Sequence, residues 1–160
     1  MNDMSDKKEL ILKTAESIFE KYGYAKTSMD DIANEAFIGK GTIYYYFKSK
    51  EDIFLELVIK YHRMIRDITE EEMKKCNSFD QKFKLMIELP MRYAVEKYPM
   101  YFEALQTPSK SLLKKINKFK NESRAMLKEK LVSLIEEAQK NNEVEEYVDV
   151  EKLIEILIRW

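Results

Sequence analysis

The 160-residue chain carries 28 Lys/Arg against 29 Asp/Glu and a single His, for a net charge of −1, with 45% hydrophobic and 36% charged residues. That balance is globular, and it lacks the global positive field of a general nucleic-acid binder. Only three Gly and three Pro are present, where average usage gives about 19 of the two together, which argues against a turn-rich barrel or sandwich and against a many-looped α/β enzyme.

The first helix is expected from Asp6, where Asp6 and Glu9 form a D-x-x-E variant of the capping box. Leu10, Ile11, Ala15, Ile18, Phe19 and Tyr22 follow at helical spacing, and Gly23 supplies the stop. Ser28 opens a second helix with Asp31 three residues on, and Met29, Ile32, Ala33 and Ala36 point inward. At about two turns it is too short to stand alone and must dock on its neighbours. A break over 37–39 precedes a third short helix, 40–47. Ser49 with Asp52 caps a fourth helix, which carries a long stripe through Ile53, Phe54, Leu57, Val58, Tyr61, Ile65 and Ile68. Ser78 and Gln81 open a fifth, 79–98, with Pro90 inside it. Pro99 and Pro108 open a short sixth and a long seventh ending near 141–142, and Asp149 caps a last helix running to Trp160. The expected fold class is all-α.

Charge by region is more telling than the total. Residues 1–60 hold nine Lys and eleven acids, yet Gly39–Lys50 holds three Lys and no acid. This basic island coincides with the third helix, Lys40-Gly41-Thr42-Ile43-Tyr44-Tyr45-Tyr46-Phe47. At 100° per residue, Ile43 and Phe47 share one face and Gly41 and Tyr45 the opposite one. Three consecutive tyrosines cannot all be buried on two turns. The outward features suit a DNA groove: N-terminal amides attract phosphate, and Gly41 lets backbone approach closely. Lys40 and Thr42 reach base edges or phosphate, and tyrosine hydroxyls donate to phosphate oxygens. Lys50 adds a cation. With the second helix, this segment makes a helix-turn-helix. The competing reading is a short apolar–aromatic helix that merely packs.

The segments Thr27-Ser28-Met29-Asp30-Asp31-Ile32-Ala33-Asn34-Glu35-Ala36 and Gly39-Lys40-Gly41-Thr42-Ile43-Tyr44-Tyr45-Tyr46-Phe47-Lys48-Ser49-Lys50-Glu51 closely resemble the TetR (tetracycline-repressor-like) family. The resemblance spans about Leu10 to Leu57. It implies a dimeric bacterial transcriptional regulator, usually a repressor released from an inverted-repeat operator by a small ligand. It implies a DNA-binding domain over 1–48 and an effector-binding and dimerisation domain over 49–160. Carried over by position, Thr27 and Ser28 would touch phosphate. Lys40, Gly41 and Thr42 would meet bases or adjacent backbone, Tyr44, Tyr45 and Tyr46 would clamp phosphates or sugars, and Lys50 would hold a phosphate. Phe19, Ile32, Ala33, Ile43, Phe47 and Phe54 look like the core. Two departures stand out. The family usually has Gly where this chain has Phe37; a bulky residue is strained if that position needs a positive φ, so either the turn differs in detail or Phe37 packs on a neighbour. The chain also stops at Trp160, short of the family's usual length, so the C-terminal dimer helices are expected to be incomplete.

The second part is rich in adaptable apolar residues. By the resemblance, Tyr61, Met64, Ile65, Phe83, Met86, Ile87, Met91, Tyr98, Phe102 and Leu105 are candidate effector contacts for a largely apolar ligand of unknown identity; the competing reading is a plain core. Lone His62 reads as a surface histidine, Cys76 as incidental, and the lysines from Lys110 to Lys120 as the solvated face of an amphipathic helix. The apolar residues around Ile154–Trp160 cover more than one helix face and suggest a partner surface.

No cofactor or metal is expected, since one His and one Cys offer no ligand set of ordinary spacing. No phosphate loop or nucleophile motif suggests an enzyme. The polar start of the chain and the lack of a long apolar run favour a cytoplasmic protein with no membrane partner. The alternative to a regulator is a helical interaction protein that retains a helix-turn-helix without binding DNA.

Overall fold

The computed structural model describes residues 3–97, 106, 108–145, 149 and 152. Those residues form α1 (Asp3–Tyr22), α2 (Met29–Glu35), α3 (Lys40–Tyr46), α4 (Lys50–Met73), α5 (Phe79–Lys97) and α6 (Lys110–Lys140), with no strand among them. The chain is all-α. It divides into two compact units: Met1–Arg63 with Ala94–Lys115, and Met64–Tyr93 with Ile116–Trp160. The division falls within α4, whereas the sequence suggested a boundary at its start.

In the first unit α1 buries Ile11, Ala15, Ile18 and Phe19, α2 buries Met29, Ile32 and Ala33, α3 buries Ile43, and Phe47 closes the set. Ile53, Phe54, Leu57 and Tyr61 of α4 complete this core. All six residues expected at its centre are there. Each large apolar side chain so buried contributes roughly 1.5–3 kcal/mol, which is how helices of seven residues hold their shape. Phe19, Tyr24 and Phe54 form an aromatic trio, with centroids 4.8–6.2 Å apart. Ion pairs Lys8–Glu56 (2.9 Å) and Lys60–Glu9 (2.6 Å) tie α1 to α4.

Helix starts follow local chemistry. At α2, the Asp31 N–H donates to Ser28 Oγ (3.2 Å) and the Ser28 N–H to Asp31 Oδ2 (2.8 Å), a reciprocal capping box. Ser49 and Asp52 make a similar start for α4, at 2.9 and 3.3 Å. Ser109 Oγ accepts the Leu112 N–H at 3.1 Å ahead of α6. The first helix differs from expectation: it is already helical from Asp3, so Asp6 lies inside it and is not the cap. Of the last expected helix only Asp149 and Lys152 are described, and the Lys152 N–H donates to Asp149 Oδ1 at 3.1 Å, as an N-cap would have it. The short helix expected after Pro99 lies almost wholly outside the described residues.

In the second unit Met73, Met86, Leu131, Leu134 and Ile135 form a core, with Phe79, Phe83, Leu85, Val132 and Val144 packed against it. Glu143 Oε2 accepts the Phe79 N–H at 2.6 Å and Lys82 pairs with Glu137 at 2.9 Å, so polar contacts join the start of α5 to the end of α6 beside this core. The α6 helix ends in a Schellman motif, in which the Glu143 N–H reaches Ala138 O (2.8 Å), the Asn142 N–H reaches Gln139 O (3.1 Å), and Asn142 takes φ 60°. Among the described residues no helix is long and apolar enough to cross a membrane.

Candidate nucleic-acid interface

The turn between α2 and α3 is also a Schellman motif. The Ile38 N–H donates to Ala33 O (3.0 Å) and the Phe37 N–H to Asn34 O (3.1 Å). Phe37 holds the left-handed position, with φ 53°, and its side chain is 96% exposed. Neither expectation holds: the turn keeps its left-handed geometry, and Phe37, almost fully exposed, carries the strain that glycine would avoid.

From this turn α3 presents an inner and an outer face. Ile43 is buried and Phe47 caps the end, while Lys40, Gly41, Tyr44 and Tyr45 are exposed. Tyr45 is 71% exposed and meets Tyr46 edge-on at 5.1 Å. Thr42 and Tyr46 are partly covered. A Cβ built on Gly41 meets no atom within 4 Å, so nothing in the protein's own packing requires a glycine there. Lys40 Nζ donates to Asp30 Oδ2 across the turn at 2.8 Å, with both side chains exposed, and this bond raises the lysine's pKa.

Three expected phosphate contacts are placed differently. Thr27 is only 4% exposed and its hydroxyl donates to Gly23 O at 2.9 Å, inside the loop that joins α1 to α2. Ser28 is exposed, but its hydroxyl is engaged with Asp31 in the cap of α2, donating to Oδ2 at 2.6 Å. These bonds, Ser28's first, hold the Asp31 carboxyl below the usual range. Lys50 turns inward. Its Nζ donates to Thr27 O (2.6 Å), Tyr24 O (2.7 Å) and Ala25 O (3.5 Å), and sits 4.3 Å from the centre of the Tyr24 ring. Burial lowers its pKa, against the opposing pull of Glu51 and Asp31. The Tyr24 hydroxyl is buried and has no hydrogen-bond partner among the described residues.

The first turn of α4 is gripped from α6 as well. Lys115 Nζ bonds Asp52 Oδ1 at 2.6 Å and Ser49 Oγ at 3.3 Å, and the Ser109 hydroxyl donates to Glu51 Oε1 at 3.1 Å. Burial pushes the Asp52 carboxyl up, but the bonds from Lys115 and Ser49 outweigh it and leave the carboxyl below its ordinary value.

The candidate effector residues do not gather as one set. Tyr61 belongs to the first unit, buried, with its hydroxyl donating to Glu16. Burial, with Glu20 nearby, raises the Glu16 pKa. Met64 and Ile65 fall in the second unit, where Met86 is buried in the core beside Phe83. Ile87 is partly exposed and Met91 is 66% exposed, and Tyr98, Phe102 and Leu105 lie outside the described residues. Sequence reasoning passed over Asp30 as Lys40's partner and Tyr24 as Lys50's platform. Asp30 lies in the same quoted motif as its lysine, whereas nothing in the local pattern signals Tyr24.

A short capped helix, a Schellman turn and a second helix with its inner residues buried and its outer face polar, glycine-notched and aromatic define a helix-turn-helix protein. Residues 11–57 match the family described as bacterial regulatory proteins, tetR family. The chain is 30% identical over 144 residues to IcaR, the negative transcriptional regulator of the biofilm operon icaADBC of Staphylococcus aureus, covering 80% of this chain and 77% of IcaR. It is 32% identical over 123 residues to the transcriptional regulator QacR of Staphylococcus aureus, covering 71% of this chain and 63% of QacR. It spans less than two thirds of the length of several curated relatives it matches. The fold is similar to that of the transcriptional regulator FadR of Bacillus subtilis, solved with stearoyl-CoA, with a TM-score of 0.67 at 23% identity over 94% of this chain and 81% of FadR. The chain belongs to the TetR family.

Proposed function

We propose that this protein is a sequence-specific DNA-binding transcriptional regulator, a repressor that acts as a homodimer on an inverted-repeat operator and is released by a small, largely apolar ligand. The observation that carries the reading is the outer face of α3: Lys40, Gly41, Tyr44 and Tyr45 stand exposed while Ile43 anchors the helix from behind. A glycine in a helix costs about 1 kcal/mol relative to alanine, and here no internal contact calls for it. Close approach of a nucleic-acid backbone or base edge supplies the reason. In a dimer, two α3 copies would enter successive major grooves about 34–36 Å apart. The Lys40–Asp30 pair is exposed, and exposed pairs are weak, so Lys40 is readily redirected to guanine or phosphate.

The release reading is supported by the second unit, whose core contains Met73 and Met86 with Phe79 and Phe83 packed against it, and whose helix α5 also carries the exposed Ile87 and Met91. Selection of bound duplexes from a random pool tests the DNA reading. An enriched inverted repeat supports it, and no enrichment by folded protein refutes it. Thermal-shift screening with hydrophobic and aromatic compounds tests the effector, and no stabilisation by any of them counts against it.

A further inference from the structure

We propose that Lys110 and Lys114, at the start of α6, form a second phosphate-facing patch that extends the DNA-binding surface beyond the helix-turn-helix. This rests on the regulator reading above. From Ser109 to Asn121 the sequence holds five Lys and no Asp or Glu, in a chain of net charge −1. The helix sorts these lysines. At 100° per residue Lys110 and Lys114 share one face, opposite Leu112 and Ile116. The two lysines are exposed and the two apolar residues are buried. Lys115 lies at the border between the faces and is engaged inside the fold, on Asp52 and Ser49. Lys118 faces Glu122 at 4.0 Å. Among the described residues Lys110 and Lys114 make no ion pair.

Exposed lysines on an amphipathic helix ordinarily face water alone. What sets this pair apart is where α6 begins. The Ser109 hydroxyl donates to Glu51 Oε1 at 3.1 Å and Lys115 bonds Asp52 at 2.6 Å, so the start of α6 lies against the first turn of α4. All of these residues belong to the first unit, together with α3. Glu51 and Asp52 directly follow the basic segment Gly39–Lys50. Both acids are thus engaged from α6, and Lys115 neutralises one of them. The positive charge of the basic segment is thereby continued by Lys110 and Lys114. A duplex backbone is the partner that fits, since it presents closely spaced negative charges and accepts cations without fixed geometry. Lysine carries its charge on a flexible stem, and charges act over about 8–10 Å at 0.10–0.15 M salt. Such contacts add affinity and carry no sequence information.

The test uses the full chain and the selected duplex. Wild type is compared with Lys110→Gln, Lys114→Gln and their double variant. A control carries Lys74→Gln and Lys75→Gln, which remove two cations that pair with Glu71 and Glu72. Affinity is measured across a salt series, and melting of each protein alone is recorded. The slope of log affinity against log salt should become shallower by about one per protomer for each lysine removed. The duplex sequence selected by the double variant should match that of wild type, and the control should keep the wild-type slope. A wild-type slope in the double variant would overturn the proposal, as would an equal flattening in the control, which would trace the effect to net charge alone. Should the double variant melt below the assay temperature, the two single variants decide by the same slopes. Failure of the regulator reading is distinct: wild type itself would then select no duplex.

Discussion

Helices α3 and α4 each begin on a lysine from the same short basic segment, and the protein uses the two in opposite ways. Lys40 is exposed and pairs with an exposed carboxylate, Asp30, across the turn. Lys50 is folded back onto backbone carbonyls and a tyrosine ring. Spacing from a helix start does not separate them. The difference lies in what each lysine finds beside it: the turn ahead of α3 closes on its own amides and carbonyls through a Schellman motif, whereas the carbonyls of Tyr24 and Thr27 in the loop ahead of α2 lie within reach of Lys50.

Lys40→Ala is the strongest way to test the first half of that contrast. Affinity for the selected duplex should fall by about 1–3 kcal/mol while the denaturant midpoint of the free protein stays close to wild type, because the Lys40–Asp30 bond that is lost is an exposed pair. Unchanged affinity would place Lys40 outside the interface. The turn between the helices offers a smaller, purely structural effect. Phe37→Gly should raise stability by up to about 1 kcal/mol, the left-handed penalty removed exceeding the entropy that glycine adds to the unfolded chain. Urea unfolding of the two proteins measures it, and a loss of stability would mean that the entropy glycine adds to the unfolded chain outweighs the left-handed penalty.

Asp30→Asn sharpens the comparison from the other side. It removes both the carboxylate that occupies Lys40 and a negative charge on the candidate face, so binding should strengthen a few-fold, an effect on the order of 1 kcal/mol or less. Fluorescence anisotropy with a labelled duplex would show it, and weaker binding would mean that Asp30 orients Lys40 for its partner. Smallest is the acid response of the α4 start. The Asp52 carboxyl lies below its ordinary value in the folded chain, so its contribution is fully present above its unfolded pKa of about 3.9 and is lost as pH falls through the lower folded value. Asp52→Asn should remove that contribution at neutral pH and flatten the acid limb of the melting profile by less than about 1 kcal/mol. An unchanged acid limb would mean that Lys115 holds Asp52 too loosely to matter.

Much of this was readable from the chain itself, and the reasons are local. Ser28 with Asp31, Ser49 with Asp52 and the stop at Gly23 each need only three or four residues of sequence, and each stands as read. The buried set from Phe19 to Phe54 follows from helical spacing and recurs in the core. Thr27 and Lys50 were not readable as internal residues, because both are decided by where the loop carbonyls fall once α1 and α4 are packed. The pair across the turn, Lys40 with Asp30, needs the turn geometry first. The scattered effector candidates show the weakest inference of all: adaptable apolar residues mark cores and pockets alike, and Met86 proves to be core while Met91 is exposed.

The central claim is that the outer face of α3 is shaped by a partner and not by the fold. Gly41→Ala tests it most directly, with melting temperature and affinity for the selected duplex measured on the same preparation. The added methyl meets open space in the free protein and improves helix propensity by about 1 kcal/mol, so the melting temperature should rise while DNA affinity falls. A variant that gains stability and binds DNA as tightly as wild type would contradict the account.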